Sequence, residues 1–238
     1  MDSESKEGEA RRQRAARLAG FLYLFTNATA VFAFYARGRV IATGDAVQTA
    51  KNIAASERLF RLGVVGELVT VAGVVALVVA LYAVLRAVDR HVALLAASWR
   101  LLECVVLAIV PLNVFTTLAL LGGAEYLRAV DAAELQALAY VFLRVHGAGF
   151  RIAFFFLGLG SAAFAYLWLR SRFVPRVLAA LGIFASLLMT AAEVAVLMFP
   201  ALARVVGMAY MAPMGLFEIA LGGWLLVKGV RAGRAASA

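Results

Sequence analysis

Apolar residues dominate six stretches of the chain, 18–36, 62–85, 92–121, 149–169, 177–199 and 208–227, and short segments rich in charge separate them. About 20 consecutive apolar residues let a helix cross the hydrocarbon core of a bilayer, so the pattern predicts six transmembrane helices. A spanning β-barrel would instead alternate lipid-facing and lumen-facing residues in segments of about 10. Residues 64–85 show no such alternation, and an open sheet in lipid leaves backbone groups unpaired, which excludes the barrel. The third stretch is 30 residues long. A helix of that length tilts, emerges from the bilayer or kinks, and Pro111 is the expected kink. Pro213 predicts a second bend near the start of the sixth helix.

The polar segments add detail at both ends of the spans. Residues 1–17 are polar and end in Arg11, Arg12, Arg14 and Arg17. A signal peptide also places basic residues before an apolar stretch, and Ala28-Thr29-Ala30 resembles a cleavage site. The apolar stretch runs on through Ala36, longer than a signal core, and is read as the first helix. Asp45 with Gln48, and Asp131 with Glu134, have the spacing of a capping box, in which side chains satisfy the first free amides of a helix. Val47, Ala50 and Ile53, and then Leu135, Leu138 and Phe142, follow at helical spacing. Both segments read as amphipathic helices on the outer surface. The expected fold is an all-α polytopic bundle of six transmembrane helices with two short amphipathic outer-surface helices. Residues 18–230 form its single domain, between a basic tail at 1–17 and a tail at 231–238.

Composition agrees, with 64% hydrophobic and 16% charged residues, against roughly 45–50% and about 25% in soluble domains. The formal charge of +9 suggests nucleic acid only until its placement is considered, because basic residues flanking spans fix orientation. Thirteen Lys and Arg fall on the side of the two termini and eight on the other, where Arg204 is counted, while Arg100 and Arg151 lie within spans. Both termini are therefore expected in the cytoplasm. Arginine outnumbers lysine 20 to 3 and alanine is abundant, a bias that points to a GC-rich bacterial genome and hence to the bacterial inner membrane. No internal repeat of the kind found in many transporters is visible. The single cysteine, Cys104, lies in an apolar stretch and reads as packing.

Candidate chemistry rests on polar groups inside the spans: Asn27, Glu67, Arg100, Glu103, Asn113, Arg151, Glu193 and Glu218. A charged side chain at the bilayer centre costs at least about 2.5–3.5 kcal/mol, so such groups pair, face the bundle interior or reach water. At about 1.5 Å per residue, Asn27, Glu103 and Glu218 fall near the midplane, Arg100 slightly to the cytoplasmic side, and Glu67, Arg151 and Glu193 in the outer half. Arg100 and Glu103 share a helix face, and Arg151 is at the depth of both Glu67 and Glu193. Four carboxylates face two guanidiniums, so protonation, a bound cation or water must balance the excess. His146 lies near the outer end of the fourth helix and His91 in a cytoplasmic loop, too far apart for a shared metal. No metal site and no cofactor are expected, and no nucleotide loop or hydrolase motif is present. The phenylalanines Phe150, Phe154, Phe155 and Phe156 read as lipid contact or core, and Trp168 and Trp224 as interfacial anchors.

Several segments together, Arg17-Leu-Ala-Gly-Phe-Leu-Tyr-Leu24, Ser56-Glu-Arg-Leu-Phe-Arg-Leu-Gly63, Leu81-Tyr-Ala-Val-Leu85 and Ser171-Arg-Phe-Val-Pro-Arg-Val-Leu178, resemble bacterial multi-pass membrane proteins of domain-of-unknown-function family 4386. Ala97-Ser-Trp-Arg-Leu101 and His146 also look like the family's pattern. The resemblance spans roughly residues 15–230 and implies six helices and attention to Arg100 and His146, with no activity attached.

Three functions fit these residues. A small carrier or channel would bind protons, cations or a small solute at Glu103 and Glu218. An intramembrane enzyme acting on a lipid or quinone would use His146 or Glu67 as acid or base, with Arg151 holding an anionic head group. A non-catalytic partner, sensor or assembly factor would use the polar residues to organise helix contacts and the amphipathic outer segments to meet another protein. Membrane lipids are the expected surroundings, nucleic acid is not a partner, and the carrier ranks first.

Overall fold

The computed structural model of the chain describes residues 3–203 and 207–231, with side chains from residue 7. Arg204 and the tail from 232 onward lie outside the described residues. The chain order is α1 (Ser3–Val40), α2 (Ala46–Ala55), α3 (Glu57–Leu85), α4 (Arg90–Ile109), α5 (Leu112–Leu121), α6 (Ala132–Ser171), α7 (Arg176–Met198) and α8 (Ala212–Val227), with 3₁₀ turns at Glu125–Leu127 and Ala209–Met211. Among the described residues, six segments are long and apolar enough to cross a membrane: Glu7–Val40, Glu57–Leu85, Arg90–Leu121, Ala132–Ser171, Arg176–Met198 and Ala209–Val227.

The spans form a closed ring. α1 packs on α3, α3 on α4, α4 and α5 on α6, α6 on α7, α7 on α8, and α8 returns to α1, while α2 lies on α6. Leu18, Phe21, Val79, Leu95, Val105, Leu187 and Ile219 are exposed on the outside, an apolar surface that water would not solvate and lipid does. Ala16, Ala19, Ala93, Ala96, Ala165, Ala179 and Ala185 are buried between helices. Lipid tails are as apolar as leucine, so membrane helices associate through close packing, and small residues permit it.

One end of the ring gathers the N-terminal part of α1, the α3–α4 and α6–α7 turns and the end of α8. Gln13 there donates to the Lys228 carbonyl at 3.3 Å and accepts from the Val230 amide at 3.1 Å, and the Arg231 amide donates to the Phe173 carbonyl at 3.0 Å. Asp89 caps α4 at this end. Its Oδ1 accepts the amides of His91 and Val92, each at 3.1 Å, and its Oδ2 lies 3.2 Å from Arg170 Nη1. The Val92 amide, followed by the His91 amide and Arg170, holds the carboxyl below the usual carboxylate range. A carboxyl that binds its proton less readily when folded stabilises above the unfolded value, and that contribution is lost as pH falls through the folded one. Asp89→Ala should therefore melt lower than wild type at neutral pH, and the two curves should converge in acid; a gap that persists there would discount the ionised cap.

Several boundaries differ from those the hydropathy suggests. The stretch 131–142 is not a separate surface helix. Asp131 caps it through the Ala133 amide at 2.7 Å, and the helix continues unbroken to Ser171, 40 residues in all. At about 1.5 Å per residue that is about 60 Å, twice the hydrocarbon thickness, so its first part stands beyond the core. Gly147 and Gly149 cost a helix only about 1 kcal/mol each, and packing of Ala139 and Leu143 under α2 and α5 outweighs this. The other surface helix, α2, forms with Asp45 as cap to the Gln48 amide at 2.8 Å, although the Gln48 side chain turns to Asn52 instead of closing the box. Val47 is exposed, and Thr49, Ala50 and Ile53 make its buried face. α1 begins at Ser3 and runs past Ala36 through Arg37, and α3 begins at Glu57. The third span breaks at Pro111, as expected. Pro213 sits in the first turn of α8, where its missing N–H costs nothing.

Candidate functional site

Seven of the polar residues inside the spans, together with His146, divide into two groups at different levels, and Asn113 joins neither. The first group lies toward the end of the ring opposite the termini, where α1, α3, α6 and α7 approach each other. Glu67 on α3 accepts from Arg37 Nη1 at 2.7 Å through Oε1, and its Oε2 lies 3.0 Å from His146 Nε2. Arg37 Nη1 is also 3.3 Å from His146 Nδ1. A guanidinium only donates, so Nδ1 of His146 is the acceptor and Nε2 carries the hydrogen that Glu67 receives. His146, 1% exposed, is thus held between one cation and one carboxylate.

A second triad stands across from it. Arg151 Nη1 on α6 donates to Glu193 Oε2 on α7 at 3.3 Å, and the Tyr210 hydroxyl donates to Glu193 Oε1. Arg151 had two carboxylates at its depth, and the structure selects Glu193 because Glu67 is taken by Arg37. In both triads a buried carboxylate tethers a guanidinium on one side and a ring on the other.

Between the triads opens a cleft of about 480 Å³. Its walls carry Arg37, Arg144, Arg151, His146 and the tyrosines Tyr140 and Tyr210 beside Phe34, Phe150 and Phe154. Glu67 and Glu193 are absent from the lining; they stand behind the guanidiniums they hold. Arg144, exposed at the cleft, has no acidic partner within 4.0 Å among the described residues. The Arg37 guanidinium stacks over Phe150 at 4.6 Å and over Phe34 at 5.0 Å, contacts that favour a flat orientation of the cation. Phe150 and Phe154 therefore serve as cleft walls in addition to packing. Arg37 and Tyr210 escape a reading of spans, because one follows the first apolar stretch by a single residue and the other is an ordinary aromatic near a span end. A carboxylate inside a span does signal that a cation must exist somewhere, but Arg61 and Arg58 are nearer to Glu67 in sequence than Arg37, so distance along the chain does not pick the partner.

The second group lies among α1, α4 and α8, with Arg100 and Glu103 buried and Asn27 and Glu218 half-buried. Asn27 Nδ2 on α1 donates to Glu218 Oε2 on α8 at 3.0 Å and to the Tyr23 carbonyl at 2.9 Å. On α4, Arg100 Nη1 and Glu103 Oε2 are 2.8 Å apart, yet the two atoms are misaligned for a hydrogen bond and neither has another partner. Both residues are 3% exposed. Glu218 and the Tyr23 hydroxyl are within electrostatic reach of Arg100. Gly160 on α6 makes room for the arginine stem, since a Cβ there would fall 2.6 Å from Arg100 Cγ and 3.0 Å from the Ala96 carbonyl oxygen.

The remaining polar candidates are local. Asn113 donates to the Val110 carbonyl at 3.0 Å beside the Pro111 break, and Cys104 is buried in the apolar core next to Glu103. Among the described residues, no three His, Cys, Asp or Glu side chains gather as a metal site requires. Trp168, expected at an interface, is fully buried against Phe173, whereas Trp224 is partly exposed and lies under Arg231 at 5.2 Å.

Six apolar helices closed into a ring, with ionisable side chains turned inward, define a multi-pass helical membrane protein. Residues 18–229 match the family described as domain of unknown function (DUF4386), and with most of the chain covered the protein belongs to that family. No curated protein and no solved structure matches the chain.

Proposed function

We propose that the protein binds an anionic amphiphile in the cleft between the two triads, a molecule with a phosphate or carboxylate head and an apolar body. The observation that supports this reading is the separation of signs: three guanidiniums line the cleft beside phenylalanines, and the acids that tether two of them stand behind the wall. Guanidinium forks match phosphate and carboxylate geometry, and about 480 Å³ is within the usual range for a small-molecule site. The excess of basic residues beside the termini supports an orientation with both termini in the cytoplasm of a bacterial inner membrane, in which the cleft faces outward. An acid–base role for His146 has less support, because Glu67 and Arg37 engage both ring nitrogens.

Native mass spectrometry of protein extracted in mild detergent tests the proposal. Anionic phospholipid should be retained over zwitterionic lipid, and Arg151→Gln and Arg144→Gln should each weaken retention about tenfold or more, as the loss of a charged hydrogen bond of about 1.5–3 kcal/mol implies. Displacement of the lipid by inorganic phosphate would locate recognition in the head alone. Unchanged retention in both variants would sink the proposal.

A proton- or cation-linked carrier is the second reading, favoured by one observation: Glu103 and Glu218 share a single guanidinium, Arg100. Reconstituted liposomes containing a pH-sensitive dye should then show flux that Glu218→Gln removes; flux that persists in the variant would count against it.

A further inference from the structure

We propose that Glu218, half-buried between α1 and α8, holds one exchangeable proton, while the buried Glu103 serves as the counter-ion of Arg100. The site underlies the carrier reading without requiring it, since a proton can reside on Glu218 whether or not any crosses the membrane.

The charges around the site can be counted completely from the helices that enclose it. α4 contributes Arg100, Glu103 and Cys104, α1 contributes Tyr23 and Asn27, and α8 contributes Glu218. α3 has no ionisable side chain between Glu67 and Tyr82, α6 none between Arg151 and Tyr166, and α7 none between Arg176 and Glu193. Two carboxylates thus meet one guanidinium, and in a medium of low dielectric the unmatched charge is removed most readily by a proton.

Geometry decides which carboxylate takes it. Glu103 Oε2 is 2.8 Å from Arg100 Nη1 and lacks any other partner. A hydrogen on that oxygen would face the N–H groups of a cation, so Glu103 remains the anion. Glu218 Oε2 accepts the neutral Asn27 amide at 3.0 Å, a bond that a protonated carboxyl keeps through its carbonyl oxygen, leaving Oε1 to carry the hydrogen. Arg100 Nη1 and Glu103 Oε2, both on residues 3% exposed and unpartnered as hydrogen bonders, mark a cluster whose polar capacity is unsatisfied. A proton fits it better than a metal cation, because Arg100 is already within electrostatic reach of Glu218 and would repel a second positive ion.

The test uses the full chain in detergent micelles and dicyclohexylcarbodiimide, which modifies protonated carboxyls in apolar surroundings. Peptide mass spectrometry should find Glu218 labelled at neutral pH about tenfold more than Glu103, the population ratio of a single pH unit, and the label should decline in alkali. Infrared difference spectra of the wild-type protein should show a protonated-carboxyl stretch that moves in heavy water, which requires no variant to fold. Absence of label and stretch in folded protein would overturn the proposal, as would preferential labelling of Glu103. Protection by sodium or potassium at constant pH would also overturn it, in favour of a bound cation. Arg151→Gln should leave the labelling unchanged, which separates this site from the cleft.

Discussion

Replacing Arg100 with leucine is expected to remove most of the folded protein, and adding Glu103→Gln to that variant is expected to restore much of it. Arg100 is the one cation within reach of both Glu103 and Glu218 among the described residues. Its loss leaves Glu103 buried with no counter-ion, and deleting one partner of a buried pair costs about 3–5 kcal/mol. That is a large share of the roughly 5–15 kcal/mol that holds a typical domain together. Glutamine keeps the shape of Glu103 without its charge, so the double variant should recover both its yield as a monodisperse peak and its melting temperature. Full stability in Arg100→Leu alone would show that the pair compensates nothing. Glu103→Gln by itself should be milder and should have a second effect: Arg100 would then turn to Glu218, and carbodiimide labelling of Glu218 should fall.

Gly20→Val is expected to separate α1 from α8, whereas Gly223→Ala, on α8, should leave stability equal or improved. A Cβ at Gly20 would lie 2.7 Å from the Gly222 carbonyl oxygen and 2.9 Å from the Leu225 carbonyl carbon. These are backbone atoms and cannot rotate away, so the helices must part. Overpacking typically costs about 1–3 kcal/mol when side chains can adjust, and a backbone clash removes that relief. Asn27 lies seven residues beyond Gly20 and Glu218 four before Gly222, both about whole turns away, so the Asn27–Glu218 bond should open with the same displacement. A Cβ at Gly223 meets nothing within 4 Å, and alanine favours a helix over glycine by about 0.8–1.0 kcal/mol. Melting curves of the two variants test the contrast; equal stability would mean that the α1–α8 approach is not what glycine serves at position 20.

The six spans were legible because each is a property of one segment in one solvent: the transfer energy of about 20 residues adds along the chain whatever lies beside them. The break at Pro111 and the caps at Asp45 and Asp131 were legible for the same reason, since each acts through bonds to its near neighbours. The cost of an ion in hydrocarbon likewise picks out Glu67, Arg100, Glu103, Arg151, Glu193 and Glu218 from the chain alone. The continuity of α6 was harder to see, because Arg144, His146, Gly147 and Gly149 look like the end of a span until α2, α5 and the Arg37–Glu67–His146 contacts are in place to support them.

The amino-acid sequence by itself therefore determined how many times this chain can cross a membrane and which side chains need neutralising once it does. Only the tertiary structure decided the partners: Arg37 for Glu67, Arg151 and Tyr210 for Glu193, Asn27 for Glu218. Pairing depends on which helices are neighbours and how each is rotated about its axis, and those are set by contacts between small residues, such as Gly20 against Gly222, that lie far apart in the chain.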